Sequence, residues 1–155
     1  MQEPALFVRA GDHIVPAPAE DIELARSYAQ FAEKGPVHNG YRLTILTQRT
    51  MYRVGEEVRV IHICEAVAQG TQLYVMGPKP PHGECIDDIP AVDPPPNSAD
   101  PLAPSGPYDG RVIPGPGVDA NYEITRYRFS TPGIHTISWR PGAFVSNVRV
   151  LEISA

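Results

Sequence analysis

Alternation of apolar and polar residues from residue 40 onward is the feature that most constrains the fold of this chain. Successive side chains of a strand point to opposite faces of a sheet, so a period of two buries one face and exposes the other. Tyr41, Leu43 and Ile45 alternate in this way with polar residues. Further strands are predicted at residues 58–66, 72–76, 110–113, 121–129, 134–140 and 145–153. We therefore predict a mainly β chain of about seven strands.

Residues 58–66 are apolar on both faces, because Val60, Ile61 and Ile63 lie close together in this segment. Such a strand is typical of a central position that is covered on both sides. Two packed sheets with Greek-key connections are the simplest architecture that buries all these segments. A Greek-key sandwich is therefore predicted over residues 41–153, within a single domain of residues 1–155.

The N-terminal segment, residues 1–40, is predicted to carry one helix at residues 19–34. Ile22 begins an apolar pattern of helical spacing, and the acids of the first turn suit the helix dipole. Gly35 and the proline that follows it end the pattern. We expect this helix to cover one edge or end of a sheet, and residues 1–18 show no sustained period.

Proline is concentrated in one part of the chain. The sequence has 18 prolines, and a dozen of them fall between Pro78 and Pro116. Proline lacks a backbone donor and is excluded from central strands. Residues 78–119 are therefore predicted to form a long insert of loops, edges and extended segments, with one short strand at residues 110–113.

Charge and hydropathy exclude several classes of partner. The formal charge of −5 argues against nucleic acid and against an anionic membrane surface. No window approaches the roughly 20 apolar residues of a membrane helix. The N-terminus has Glu3 where a secretory signal has a basic residue. A soluble, cytoplasmic protein is predicted, with a mature secreted form as the alternative.

Two segments carry a resemblance to a known kind of domain. The first contains Tyr52, Gly55, Glu56, Val58 and Val60, and the second contains Tyr127, Phe129, Pro132, Gly133, His135 and Ile137. Together they resemble a widespread bacterial immunoglobulin-like pattern, in which they open the second strand and form a later turn between strands. The resemblance implies an immunoglobulin-like sandwich and no activity. The chain departs from the pattern at His135, where an aromatic residue is usual, and it has no cysteine pair at the usual inter-sheet positions.

Four residues have the chemistry of zinc or copper ligands, namely His62, Cys64, His82 and Cys85. His62 and Cys64 are two apart on a predicted strand and so face the same way. Two alternatives stay open: Cys64 is a small core residue with His82 in solvent, or Cys64 and Cys85 form a disulfide. The first of these is favoured, and no cofactor is predicted.

The predicted ligand-binding residues are Tyr108, Trp139, Arg140 and Phe144. Trp139 shares a strand face with His135, and aromatic rings beside a titratable histidine form ligand pockets. The alternative, which is favoured for this strand, is an ordinary aromatic core with one hydrogen-bonded histidine.

The acids of the insert do not match the spacing of an EF-hand calcium site, and they are interpreted as solubilising residues. They are Glu84, Asp87, Asp88, Asp93, Asp100, Asp109 and Asp119. The chain also lacks the familiar nucleophile, zinc-protease and phosphate-loop motifs.

Three classes of function remain. The favoured one is a binding or interaction module, in which the proline-rich insert forms a recognition surface for a protein or a small molecule. The second is a small enzyme with a pocket between insert and sheet, whose candidate catalytic residues are His135, His62, Tyr108 and Asp109. The third is a zinc or copper protein.

Overall fold

The computed structural model describes residues 6–96, 100–104 and 108–155. Helix α1 spans Ala19–Arg26, and a 3₁₀ turn at Ser27–Gln30 continues it. The strands are, in chain order, β1 (Phe7–Ala10), β2 (His13–Pro16), β3 (Val37–His38), β4 (Tyr41–Leu46), β5 (Met51–Arg53), β6 (Glu57–Ala66), β7 (Gln72–Tyr74), β8 (Glu84–Ile86), β9 (Ile89–Pro90), β10 (Val112–Pro114), β11 (Gly117–Asp119), β12 (Thr125–Arg128), β13 (Gly133–Trp139) and β14 (Arg149–Ser154). The prediction of a mainly β chain with one short helix is confirmed.

Strands β1 and β2 form a hairpin in a stretch where the sequence shows no period. Gly11 makes the turn with a φ of 65°, which glycine adopts without steric cost. Within the described residues, the two strands pair with each other and with no further strand. Neither strand has a fully buried face, so there is no alternation for sequence analysis to detect.

The helical segment is shorter than the predicted range of 19–34. It stops before Phe31, whose backbone is extended. Packing explains the early end, because the chain must bring Gly35 against the sheet, where its N–H donates to Thr44 Oγ1 at 3.1 Å. A Cβ atom on Gly35 would lie 2.0 Å from the Leu43 carbonyl oxygen, so no other residue fits there. In the part of the chain that the structure describes, no helix is long and apolar enough to cross a membrane.

The first large sheet has the order β3-β4-β6, and β11 and β12 both pair with the other edge of β6. All of these pairs are antiparallel. Strand β6 is ten residues long, and Val60, Ile61 and Ile63 are fully buried on its two faces. The prediction that residues 58–66 form a central strand covered on both sides is therefore confirmed.

The second large sheet has the order β5-β14-β13-β8-β9. Strand β5 runs parallel to β14, and the other pairs are antiparallel. Strand β8 lies inside this sheet although it belongs to the insert, so the prediction that residues 78–119 supply no central strand is wrong. Residues 83–89 contain no proline, and they pair normally although prolines flank them.

The strand predicted at residues 72–76 also differs from expectation. Among the strands that the structure describes, β7 pairs with β10 alone, in a separate two-stranded ribbon that we call the β7–β10 ribbon. It is not part of the second large sheet, where β8 is the neighbour of β13 on the side away from β14.

Two hydrophobic cores hold these layers together. The first lies between the two large sheets and contains Val60 from one and Ile137 and Trp139 from the other. The second lies on the opposite face of the first sheet, where Ala25 and Tyr28 are packed with residues of β4 and β6. The helix therefore covers a face of the sheet, and the prediction that it covers an edge or end is wrong.

Candidate functional site

A contact between a carboxylate and an imidazole lies in the core between the two large sheets. Glu84 on β8 accepts a hydrogen bond from His62 Nε2 on β6, and neither side chain has exposed surface. Glu84 Oε1 also accepts from the Tyr127 hydroxyl and from Thr125 Oγ1, the latter at 2.5 Å. All three donors belong to the first sheet, so Glu84 ties the second sheet to the first.

The surroundings of Glu84 keep it ionised. Burial by itself raises the pKa of the carboxyl, but the His62 charge and the three donors hold this pKa below its usual value. Burial and the Glu84 charge raise the pKa of Tyr127, so its hydroxyl remains a donor. The Trp139 ring packs edge-on against His62 with centroids 5.1 Å apart. Because solvent reaches neither Glu84 nor His62, the pair acts as a contact between sheets and offers no open acid or base.

A second buried ion pair joins Lys79 to Asp119, with Nζ 2.9 Å from Oδ2. Lys79 Nζ also donates to the carbonyl oxygens of Met76 and Asn121 and lies 4.5 Å from the centre of the Tyr122 ring. Burial lowers the pKa of Lys79 and raises that of Asp119, and the attraction between them opposes both shifts. The pair fixes the segment after β7 against β11.

A cavity of about 450 Å³ lies between the β1–β2 hairpin and the β7–β10 ribbon, and we call it the ribbon cavity. Its apolar lining consists of Phe7, Ile14, Val75, Met76, Ile113 and Val118. Gly77, Arg111, Asp119 and Asn121 complete the lining. Known small-molecule sites have volumes of about 300–1,000 Å³ and are mostly apolar with a few polar groups. The ribbon cavity has this character.

The polar groups of the ribbon cavity differ in whether they have hydrogen-bond or ion-pair partners. Asp119 is neutralised by Lys79, and its Oδ1 accepts the Asn121 N–H at 3.0 Å. Asn121 Nδ2 donates to the Val75 carbonyl oxygen at 3.1 Å. Among the described residues, the Arg111 guanidinium has neither an ion-pair partner nor a hydrogen-bond partner. Arg111 is thus the one charged group of this lining without a counter-charge.

Tyr108 contacts the ribbon and holds two walls of the ribbon cavity together. Its hydroxyl accepts the Met76 N–H and donates to the Arg111 carbonyl oxygen, both at 2.8 Å. Its ring packs edge-on against Tyr74. Both roles of the hydroxyl are occupied, which leaves Tyr108 as a support for Arg111. Asp109 is exposed and does not line the cavity.

His135 lies at the surface with both ring nitrogens engaged. Nδ1 donates to Asp87 Oδ2 at 2.7 Å, and Nε2 donates to the Thr131 carbonyl oxygen at 2.8 Å. Two acceptors favour the doubly protonated ring, and the hydrogen bond to Asp87 is the main cause of the raised pKa of His135. No ring nitrogen is left to take a proton from a substrate, so this geometry favours an electrostatic role.

The structure does not bring the predicted ligand-binding residues together. Trp139 is buried in the core, as predicted, and borders a space of about 20 Å³, which is about the size of one water molecule. Arg140 pairs with Asp88 at 2.6 Å at the surface. Phe144 packs edge-on against His38, away from the ribbon cavity. Tyr108 alone of this set contacts the walls of that cavity.

The four candidate metal ligands are likewise not gathered into one site. His62 is bonded to Glu84, and His82 lies in the loop before β8, with Nδ1 3.3 Å from the Asp93 carbonyl oxygen. Cys64 and Cys85 are buried free thiols, so the disulfide alternative is wrong for this structure. Within residues 6–96, 100–104 and 108–155, no three His, Cys, Asp or Glu residues are arranged to hold a metal ion.

Sequence analysis missed the buried charges of the insert. The interpretation of its acids as solubilising residues is wrong for Glu84 and Asp119, which are both buried. The proline-free run of residues 83–89 is a signal that could have placed Glu84 on a strand. No comparable local signal identifies Lys79 or Arg111, because their partners and neighbours come from distant segments.

Comparison with protein-family models, with curated proteins and with solved structures finds no match for this chain. The two segments that carry the immunoglobulin-like resemblance are neighbours in the structure. Tyr127 on β12 lies opposite Val58 on β6, and the Gly55 N–H donates to the Phe129 carbonyl oxygen at 3.0 Å.

Proposed function

We propose that this protein is a binding module and that the ribbon cavity holds a small, mostly apolar molecule. The observation that carries the proposal is the cavity itself, with a volume of about 450 Å³ and six apolar lining residues. When such a cavity holds only water, its apolar side chains lack the packing and burial that an apolar ligand would supply.

The lining links this proposal to the proline-rich insert. Arg111, Ile113, Val118 and Asp119 all come from residues 78–119. Opposite them lies the β1–β2 hairpin, which pairs with no other strand of the described chain. A wall of the insert that is held by several contacts, and a hairpin without strand pairing to the rest of the described chain, suit a site that admits a ligand from solvent.

Several contacts make the insert side of the cavity firm. The buried pair of Lys79 and Asp119 fixes β11, and Tyr108 ties the Met76 and Arg111 backbones together. Preorganised walls lower the cost of ordering on binding. The geometry therefore favours binding over the alternative of an enzyme, whose candidate groups His62, His135 and Tyr108 are each committed to partners.

We further propose that the two large sheets form an immunoglobulin-like sandwich. Strand β4 pairs with β6 in the first sheet, and the chain then passes to β5, which pairs in parallel with β14 in the second sheet. In this arrangement β4 and β5 act as the two halves of the first strand of the sandwich, one half in each sheet, and the last strand, β14, is the parallel neighbour of β5. The core shared by the two sheets also supports the proposal.

The binding proposal is tested with N-phenyl-1-naphthylamine, a neutral dye that fluoresces in apolar surroundings. The intact chain is expected to enhance and blue-shift its emission with saturation. Ile113→Trp, which fills the cavity, should abolish most of this response. Val150→Trp places the same ring on the exposed side of β14 and serves as the control. If the dye does not bind, or if both variants respond equally, the ribbon cavity is not the binding site.

A further inference from the structure

We infer that the natural ligand of the ribbon cavity is an apolar carboxylate, bound with its anionic group at Arg111. This inference rests on the proposed function and specifies its ligand. The first step is the charge balance of the lining. Of its two charged residues, Asp119 is already neutralised at 2.9 Å by Lys79, whereas Arg111 has no partner among the described residues.

The second step is that, among the described residues, Arg111 shares the lack of an ion-pair partner with Arg9 and Arg53, but of these three arginines Arg111 alone lines the ribbon cavity. The sequence has 18 carboxylates and 13 lysines and arginines, so acids are in excess. Even so, no described carboxylate lies within ion-pair distance of the Arg111 guanidinium. A cation that is left unpaired beside an apolar cavity in an acidic protein is available to an incoming anion.

The third step is that the backbone at Arg111 is held in place. Its carbonyl oxygen accepts hydrogen bonds from the Val75 N–H at 3.2 Å and from the Tyr108 hydroxyl at 2.8 Å. These bonds fix the origin of the side chain at the cavity rim, although the side chain itself is exposed. The backbone at Arg111 therefore does not have to order when a ligand binds, and the cost of ordering is limited to the side chain.

The guanidinium and the apolar walls together select the kind of anion that the cavity can bind. A guanidinium presents its N–H groups in a planar fork that matches both oxygens of a carboxylate. The apolar residues on both sides of the cavity, Phe7 and Ile14 on the hairpin and Ile113 on the ribbon, would surround a hydrocarbon or aromatic body. An amphiphile with one carboxylate and an apolar body satisfies both features, whereas a sugar or a nucleotide would leave the apolar walls without a matching surface.

The test compares decanoate with 1-decanol, which share a tail length and differ in charge. Both are titrated into the intact chain by calorimetry, below the concentration at which decanoate forms micelles. We expect decanoate to bind about tenfold more tightly than decanol, as a charge-assisted hydrogen bond would give. Arg111→Gln should remove this advantage, so that decanoate and decanol bind to the variant with similar affinity. Arg53→Gln, an exposed arginine that does not line the cavity, is the matched control.

Salt supplies a second measurement. Raising the ionic strength to about 1 M shortens the screening length to about 3 Å, so the decanoate advantage should shrink while decanol binding does not weaken. Equal binding of the two probes, or a decanoate advantage that survives in Arg111→Gln, would overturn the carboxylate inference and leave the apolar cavity intact. Failure of both probes and of the neutral dye would instead reject the proposed function.

Discussion

Removal of the Glu84 carboxylate is expected to destabilise the protein strongly. In Glu84→Ala, the His62 ring and the Thr125 and Tyr127 hydroxyls all lose their acceptor inside a closed core. Removing one partner of a buried ion pair costs about 3–5 kcal/mol, because the remaining groups are left without partners away from water. That is a large part of the total of about 5–15 kcal/mol for a domain.

The loss can be measured as a free energy by urea unfolding and as a fall in Tm by thermal unfolding. Trp139 is the single tryptophan of the sequence, and its ring lies against His62, so its fluorescence reports on this part of the core. A chain of this size loses about 2–4 °C of Tm for each kcal/mol, so a fall of about 6–20 °C is expected. Glu152→Ala removes an exposed glutamate from β14 and should change stability by less than about 0.5 kcal/mol.

A double-mutant cycle separates the ionic contact from simple loss of volume. His62→Leu and Glu84→Leu each break the pair, whereas the double variant replaces both polar side chains with apolar groups. The double variant should therefore cost about 0.5–3 kcal/mol less than the sum of the single variants. Additive costs, or a cost of Glu84→Ala below about 1 kcal/mol, would show that the pair does not join the sheets as described.

Two further outcomes are expected. The pKa of His135 is raised mainly by its hydrogen bond to Asp87, so this contact stabilises the protein fully below a pH of about 6.5 and is lost as pH rises through the higher folded-state pKa. His135→Gln should therefore cost more at pH 5.5 than at pH 8.5, by less than about 1 kcal/mol because solvent screens the exposed Asp87; an equal cost at both values would contradict this. In the second sheet, Met51→Cys with Glu152→Cys should form a disulfide on oxidation, since the two residues are opposite each other on parallel strands. Met51→Cys with Ser154→Cys is two residues out of register and should not, and equal crosslinking of both pairs would contradict the register.

Predictions from the sequence succeeded where burial repeats along one segment. The period in residues 41–46 and the apolar run in residues 58–66 correspond to β4 and β6. Burial of Trp139 followed from its alternation with polar neighbours on β13. In each case a local pattern reports which face of the strand is covered, and nothing about the partner strand is needed.

Predictions failed where the proline content of a long segment was used to decide whether its strands could pair. The average composition of residues 78–119 indicated loops, yet β8 pairs with β13 because the seven residues 83–89 contain no proline. The predicted length of the helix was also wrong, because a tertiary contact ended the helix early. The apolar spacing continued toward residue 34, but the close approach of Gly35 to Leu43 required an extended chain from Phe31 onward.

Local patterns in the sequence determined the strand-rich class, the position of the long central strand and the burial of Trp139. Tertiary structure alone decided which charges meet, because His62 and Glu84 are 22 residues apart and lie on different sheets. It likewise decided the ribbon cavity, whose walls come from the N-terminal hairpin, the ribbon and β11. A residue's tendency to be buried depends on its own side chain, whereas an ion pair or a cavity depends on how distant segments pack, and no short stretch of sequence contains that information.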